Sequence, residues 1–273
     1  MSATLLHISD LHFGTVVDEA LAGVLEVVDK VNPDVVIVSG DVTQRGRASE
    51  LAGFLALLKQ LAPRTVLSVP GNHDVSWWPP WNRVLAPLKG FESVVPAEHR
   101  RPFALVNDVV VLAVGSVDPW RQVAGTLSAS ALATLGTIAK ATPAAVRVAF
   151  THHPIALDRP THRRTNVALN AQEAADALAN ANVDLLLSGH IHIPFATTTT
   201  TAFPGLSRSF VLAGAGTATS SRTRATQARA LQVVRVERAR LEIERHEMPQ
   251  DKPDFVVVGT SMFVKANGSW RAA

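Results

Sequence analysis

Thr65-Val66-Leu67-Ser68-Val69-Pro70-Gly71-Asn72-His73-Asp74 reads as a strand that runs into a polar turn. Gly71 is expected to allow a backbone conformation that a side chain would resist, so that the residues after it can be aimed out of the strand end. Asn72 offers a neutral oxygen ligand, His73 a proton donor near neutral pH, and Asp74 a hydrogen-bond partner to orient that imidazole. A four-residue polar turn after a strand is by itself an ordinary loop. Its meaning depends on where the other polar residues fall.

Working outward, the same arrangement recurs upstream. Thr4 to Ile8 is a short apolar strand followed by Ser9-Asp10-Leu11-His12. Asp18 to Val31 has helical spacing at Leu21, Val24, Leu25 and Val28, and Asn32-Pro33 ends that helix. Asp34 to Ser39 is a continuous apolar strand, as expected when both sheet faces are covered. It ends in Gly40-Asp41, and Ala48 to Leu61 is a second helix. Asp10, Asp41 and Asn72 are therefore separated by 31 and 31 residues, about the length of one strand-helix-strand unit. That periodicity predicts three consecutive parallel strands with these side chains just past their carboxyl ends, where open α/β sheets place ligands.

Downstream, Trp77-Trp78-Pro79-Pro80-Trp81 is an aromatic, proline-rich loop that suits either a substrate wall or a staple onto the core. Asp108 to Val114 reads as a strand and Leu127 to Ala139 as a helix with Ser128 as its N-cap. The strand Ala145 to Phe150 ends in Thr151-His152-His153-Pro154. After a helix from Asn170 to Ala181, the strand Val183 to Ser188 ends in Gly189-His190-Ile191-His192. His7, His99, His162 and His246 fall outside these motifs and read as surface or satisfied core residues. Thr197 to Thr201 resembles an edge strand. Phe210 to Ala213, Leu231 to Val236, Leu241 to Arg245 and Phe255 to Val258 are short strands expected to form antiparallel pairs completing a second sheet. No repeat or linker divides the chain, so residues 1–273 are read as one domain, with 246–273 as an extension.

Composition narrows the classes. The hydrophobic fraction is 47% and the charged fraction 18%, within the range of folded proteins and away from disorder. No run of about 18 apolar residues predicts a membrane span, and the N-terminus lacks the pattern of a signal peptide. With no cysteine, disulfides and thiolate chemistry are excluded, and the cytoplasm is the expected compartment. The pI of 9.7 overstates basicity. The net charge is only +3, from 26 basic and 23 acidic residues, and neither Tyr nor Cys is present to titrate above neutrality.

Collected, the strand-end donors are Asp10, His12, Asp41, Asn72, His152, His190 and His192. Carboxylate, amide and imidazole without thiolate suit Mn, Fe or Zn rather than a cysteine-based structural site. Seven donors exceed the needs of one ion, and the two oxygens of Asp41 could bridge a pair. Two ions about 3.5–4 Å apart can clamp a phosphoryl group and activate a bridging water as hydroxide for in-line attack, with His73 near the leaving oxygen.

The series Asp10-Leu11-His12, Gly40-Asp41, Gly71-Asn72-His73-Asp74, His152-His153-Pro154 and Gly189-His190-Ile191-His192 resembles, in order and spacing, the calcineurin-like metallophosphoesterases across residues 4 to 195. The resemblance implies a four-layer αββα sandwich with two central mixed β-sheets. It implies one metal on Asp10, His12 and His192, a second on Asn72, His152 and His190, and Asp41 bridging them. His73 and Asp74 are read as the catalytic pair from the chemistry of the turn itself. His153 is given no metal role. The GDVTQRG and THHP surroundings look most like the bacterial branch with class III cyclic-nucleotide phosphodiesterases and glycerophosphodiesterases. The expected activity is hydrolysis of a small phosphodiester by attack of a metal-bridging hydroxide. The alternatives are a phosphomonoesterase, a DNA nuclease drawing on Arg222, Arg224 and Arg229 in the 217–229 loop, a lipid-precursor pyrophosphatase and a non-catalytic scaffold. Nucleic acid is not the favoured partner, and no membrane partner is expected.

Overall fold

The computed structural model describes residues 2–76, 81–158, 166–223, 228–249 and 254–273. Most of the Trp77–Trp81 loop, together with His162 and Arg224, lies outside them. Trp81 is exposed.

The first half alternates strands and helices at the predicted places: β1 (Ala3–Ile8), α1 (Asp18–Val31), β2 (Val35–Ser39), α2 (Ala48–Leu61) and β3 (Thr65–Val69). β1, β2 and β3 are parallel neighbours, with Leu5 beside Val35 and Val35 beside Thr65. The constant offset brings the three strand ends level. Side chains alternate across the sheet. Leu6, Ile8, Val36, Val38 and Val66 pack with Val24, Val28, Phe54 and Leu58 of α1 and α2. Leu5, Val35, Ile37, Leu67 and Val69 join the core shared with the second sheet. Burial on both faces explains the unbroken apolar run of β2.

The connection to the second sheet carries two short helices, α3 (Asn82–Leu85) and α4 (Lys89–Val94). The second sheet comprises β4 (Phe103–Val106), β5 (Val109–Ala113), β6 (Val146–Phe150), β7 (Leu185–Ser188), β8 (Phe195–Thr198) and β9 (Val211–Gly214), in the order β4-β5-β6-β7-β9-β8. β5, β6, β7 and β9 are parallel and the two outer strands antiparallel. The threonine-rich segment thus contains an edge strand. α5 (Ala129–Ala141) and α6 (Ala171–Asn180) cover this sheet through Leu135, Ala139, Ala174 and Leu178. Ser128 caps α5, its side chain accepting from the Ala131 amide, and the helix runs two residues later than the apolar spacing predicts. The four layers are α1/α2, first sheet, second sheet and α5/α6. Among the described residues, no helix is long and apolar enough to cross a membrane.

One expectation is overturned. β10 (Arg229–Glu237), β11 (Arg240–Met248), β12 (Val256–Ala266) and β13 (Ser269–Ala272) do not build the second sheet. They extend the first, because β10 pairs antiparallel with the open side of β1, Leu5 opposite Val234. The last two strands also reach the second sheet through Asp184, whose Oδ1 accepts from Lys265 Nζ (2.7 Å) and Trp270 Nε1 (2.8 Å). Arg208 Nη2 donates to the same oxygen at 2.7 Å, and the Arg147 amide to Oδ2 at 3.0 Å.

Candidate metal centre

The carboxyl ends of β1, β2 and β3 meet those of β6 and β7 at the edge between the two sheets. The Asp10 amide donates to the Gly40 carbonyl and the His12 amide to the Asp41 carbonyl, both at 3.0 Å. Asp10 Oδ2 accepts from the His190 amide at 2.9 Å, so the loop after β7 is bonded to the loop after β1. Nine non-glycine described residues have positive φ; four are asparagines and the other five are Asp10, His12, Asp41, His190 and His192. Asn, Asp and His adopt this region more readily than other side chains, yet holding five non-asparagine residues there together still costs free energy that the surrounding bonds must offset.

Gly71 is needed for a different reason from the one expected. Its φ of −106° is open to any residue, but a Cβ there would lie 2.2 Å from Asp41 Oδ1. Gly189 is equally constrained, since its Cβ would sit 1.8 Å from Ser9 Oγ and 2.5 Å from Asp10 Oδ2. Gly71 and Gly189 let one loop's backbone touch another loop's carboxylate.

All seven expected donors come together. His192 Nε2 lies 3.1 Å from both Asp10 Oδ1 and His12 Nε2. On the other side, Asn72 Oδ1 is 3.1 Å from both His152 Nε2 and His190 Nδ1. Asp41 Oδ2 stands between the two groups, 3.4 Å from His152 Nε2 and 3.8 Å from His12 Nε2. His152 donates Nδ1–H to the Ser39 carbonyl (2.8 Å), and His192 donates Nδ1–H to the Arg222 carbonyl (2.9 Å). Each therefore turns Nε2 toward the centre.

Burial would raise the Asp10 and Asp41 carboxyls, but His192 beside the first and His152 beside the second hold both well below the usual range. Conversely, burial would lower His152, yet Asp41 pushes it up to about 9. Asp10 raises His192 in the same way against burial. For His12 burial prevails over Asp41 and Asp10, and its pKa falls to about 4.

These features fit a cation. Asp10 and Asp41 are fully buried carboxylates whose neighbours at this point are imidazole nitrogens, and buried carboxylates are costly unless something satisfies their charge. Asp10, His12 and His192 form one group able to hold a metal ion, and Asp10, Asp41 and His152 another, with donor atoms within 4.8 Å of each other. The all-nitrogen-and-oxygen donor set suits first-row divalent cations.

The neighbouring residues divide differently. His73 lies at the centre's edge, its ring 4.8 Å from that of His12. Asp74 does not orient it. The buried Asp74 carboxylate accepts from the amides of Gly71, Val42 and Thr43 and from the Thr43 hydroxyl. Those donors hold it ionised against burial and Asp41, which push its pKa up to about 6. Asp74 ties the turn after β3 to the loop after β2, and the catalytic role expected for it gives way to a structural one. His153 is also engaged on both nitrogens, by Ser116 Oγ (2.9 Å) and the Val123 carbonyl (3.0 Å). Burial, then His152 and His190, keep it well below the usual histidine range.

Outside these motifs, His7 is buried and bonded to Ser39 Oγ, His99 is bonded to the Val66 carbonyl, and His246 to Glu244. Residues 217–220 depart from a solvated loop, being buried. Thr217 and Thr219 are buried and donate to the Asp10 and Leu11 carbonyls at 2.6 and 2.8 Å. They brace the donor loop, a role that a Thr/Ser-rich stretch does not signal, and of its described arginines Arg222 lines the centre's cavity of about 410 Å³.

A comparison with curated protein sequences yields no match. Among solved structures, the chain is similar to purple acid phosphatase PPD1 from yellow lupin (Lupinus luteus) seeds, with TM-score 0.72 and 11% identity over 98% of this chain. It spans 54% of that protein's length. It is similar to PhoD with TM-score 0.70 and 11% identity, over 100% of this chain and 71% of PhoD. GAP50, the anchor in the inner membrane complex of Plasmodium, matches with TM-score 0.60 and 12% identity over 98% of this chain and 91% of its own. At such identities the likeness concerns the fold alone. The family profile of calcineurin-like phosphoesterases matches residues 3–194, a span that holds every donor of the centre, and the chain belongs to that family.

Proposed function

We propose that the protein is a phosphodiesterase acting on small diesters of the cyclic-nucleotide or glycerophosphodiester type. The observation that carries this reading is the convergence of seven nitrogen and oxygen donors on one buried point with His73 beside it. Asp10, His12 and His192 would hold one ion, Asn72, His152 and His190 a second, and Asp41 both. Ions bound there would supply Lewis-acid polarisation of phosphoryl oxygens and activation of water. The chain's own contribution is to orient the imidazoles through Ser39 and Arg222, to hold the carboxylates ionised, and to offer His73 as proton donor to the departing oxygen.

Two features favour diesters. Arg222 is the sole arginine among the described residues lining the centre's cavity, which suits a substrate phosphate with one negative charge. A second cleft of about 690 Å³ adjoins it, with His73 in both walls, leaving room for a second ester arm. With saturating Mn²⁺, bis(p-nitrophenyl) phosphate is expected to be hydrolysed faster than p-nitrophenyl phosphate. The reverse order would make the protein a phosphomonoesterase. A scaffold role, which the Plasmodium anchor of the same fold brings into view, predicts instead that protein purified without chelator carries no metal.

A further inference from the structure

The larger cleft is lined by Gln44, Arg45, Arg47, His73, Ser76 and Gln122, among others. No acidic residue is among its described lining residues, and none of the described carboxylates pairs with the Arg45 or Arg47 guanidinium. Both arginines are exposed, but the backbone that carries them is fixed. The buried Glu50 carboxylate accepts from the Arg45 amide at 2.8 Å and the Arg47 amide at 3.2 Å. Thr43 Oγ1 accepts from the Gly46 amide between them at 3.0 Å. A held loop thus presents to an open cleft two guanidinium groups that no described carboxylate pairs with. Gln44 adds a buried Oε1 with no hydrogen-bond partner.

His73 locates this cleft relative to the reaction. A group that protonates the departing oxygen must stand beside the leaving group, on the side away from the attacking water, because displacement at phosphorus runs in line. His73 lines both this cleft and the cavity of the donors, and the cleft's other described lining residues are none of the donors. The Asn72 side chain reinforces the link, since Nδ2 donates to the Gln122 carbonyl in the cleft wall at 3.1 Å. Guanidinium groups favour planar oxyanions such as phosphate and carboxylate.

We propose that the Gln44–Arg47 cleft is the leaving-group subsite and that Arg45 and Arg47 select alcohols bearing an oxyanion of their own, a phosphate or carboxylate. This rests on the phosphodiesterase reading and narrows it to diesters whose departing arm is anionic. Hydrolysis breaks the bond from phosphorus to the departing oxygen and forms a new bond from phosphorus to the oxygen of water. The departing oxygen takes a proton from His73, and the anionic alcohol leaves through the cleft.

The test compares methyl 4-nitrophenyl phosphate with methyl 3-carboxy-4-nitrophenyl phosphate, in the Mn²⁺-loaded wild type and in the Arg45→Gln/Arg47→Gln protein. The ratio of kcat/KM values between the two esters is taken for each protein, and dividing the ratios cancels the intrinsic difference between leaving groups. One charge-assisted contact predicts that the wild-type ratio exceeds the variant's about tenfold; equal ratios overturn the proposal. Arg45→Lys/Arg47→Lys, which keeps the charge, should retain a ratio above that of the glutamine pair, and equality of the two variants would also overturn it. If neither diester is cleaved while p-nitrophenyl phosphate is, the phosphodiesterase reading fails, and binding then decides the subsite. Calorimetric titration with 5-hydroxy-2-nitrobenzoate should show an affinity that drops about fivefold or more in the glutamine variant. No binding, or equal binding by the two proteins, overturns the subsite.

Discussion

His73 Nδ1 lies 2.8 Å from the Gln44 carbonyl oxygen. The carbonyl accepts Nδ1–H, so the proton handed to a departing oxygen is a second one, carried on Nε2 of the imidazolium. General acid catalysis is typically worth about 10²–10⁴-fold. His73→Ala should keep its metals and lose activity in roughly that range on an alkyl or ribosyl diester. The loss should be clearly smaller on a p-nitrophenyl ester, whose phenolate leaves unprotonated. Equal losses would instead mean that His73 binds the phosphoryl oxygens, and lost metal would place it among the ligands.

Asp74 is a clamp between loops, so its substitution should be felt in stability first. Asp74→Ala leaves the Gly71, Val42 and Thr43 amides without the acceptor they now share. With buried donors costing about 1–3 kcal/mol each when unmade, a loss of roughly 3–5 kcal/mol in urea unfolding is expected. A stable variant that had lost only turnover would return Asp74 to the chemistry.

Asp41 stands between both donor groups, and His12 in only one. Asp41→Asn should therefore weaken the whole centre, while His12→Ala removes chiefly one ion. Metal analysis of the two purified variants checks this. Two ions at wild-type affinity in Asp41→Asn would remove the bridging assignment.

Gly189→Ala introduces a methyl group 1.8 Å from Ser9 Oγ and 2.5 Å from Asp10 Oδ2. The loops after β1 and β7 must separate to admit it. Metal affinity should fall even where circular dichroism shows an intact fold, and unchanged affinity would mean that the two loops move independently.

Asp184 lies away from the centre and is expected to contribute to stability in a pH-dependent way. Burial would raise its pKa, but Lys265, Trp270, Arg147 and Arg208 together lower it. A carboxyl depressed in the folded state contributes stability that is fully present above its unfolded pKa of about 4. That contribution is lost as pH falls through the lower folded value. Asp184→Asn should cost about 3 kcal/mol at neutral pH, and the difference from wild type should shrink in acid. A difference that grew as pH fell would reverse the assigned sign.

The paired spacings of 31 residues among Asp10, Asp41 and Asn72, with apolar strands before each, place the donors by local rules alone. A strand buried on both faces must be apolar throughout, and a parallel connection needs a helix-length crossover. The helices over Asp18–Val31 and Ala48–Leu61 follow from the same periodicity. Side-chain chemistry completed the donor set, since carboxylate, amide and imidazole at five strand ends have few uses in common other than holding a cation.

What tertiary structure alone decided depends on partners far apart in the chain. β10 joins β1 through pairs such as Leu5 and Val234, and no local pattern distinguishes the open side of one sheet from that of another. Asp74 could reach His73 in sequence, yet its carboxylate turns to Thr43, 31 residues upstream, where an amide and a hydroxyl are already aligned. Thr217 and Thr219 meet the Asp10 and Leu11 carbonyls across more than half the chain. Arg45 and Arg47 line a cleft beside His73 on a loop whose amides are held by Glu50 and Thr43. Hydrophobic periodicity acts between near neighbours and is written residue by residue. Sheet partnership and the direction of a buried polar side chain are set by whichever distant donor or acceptor is left unpaired once the layers have packed.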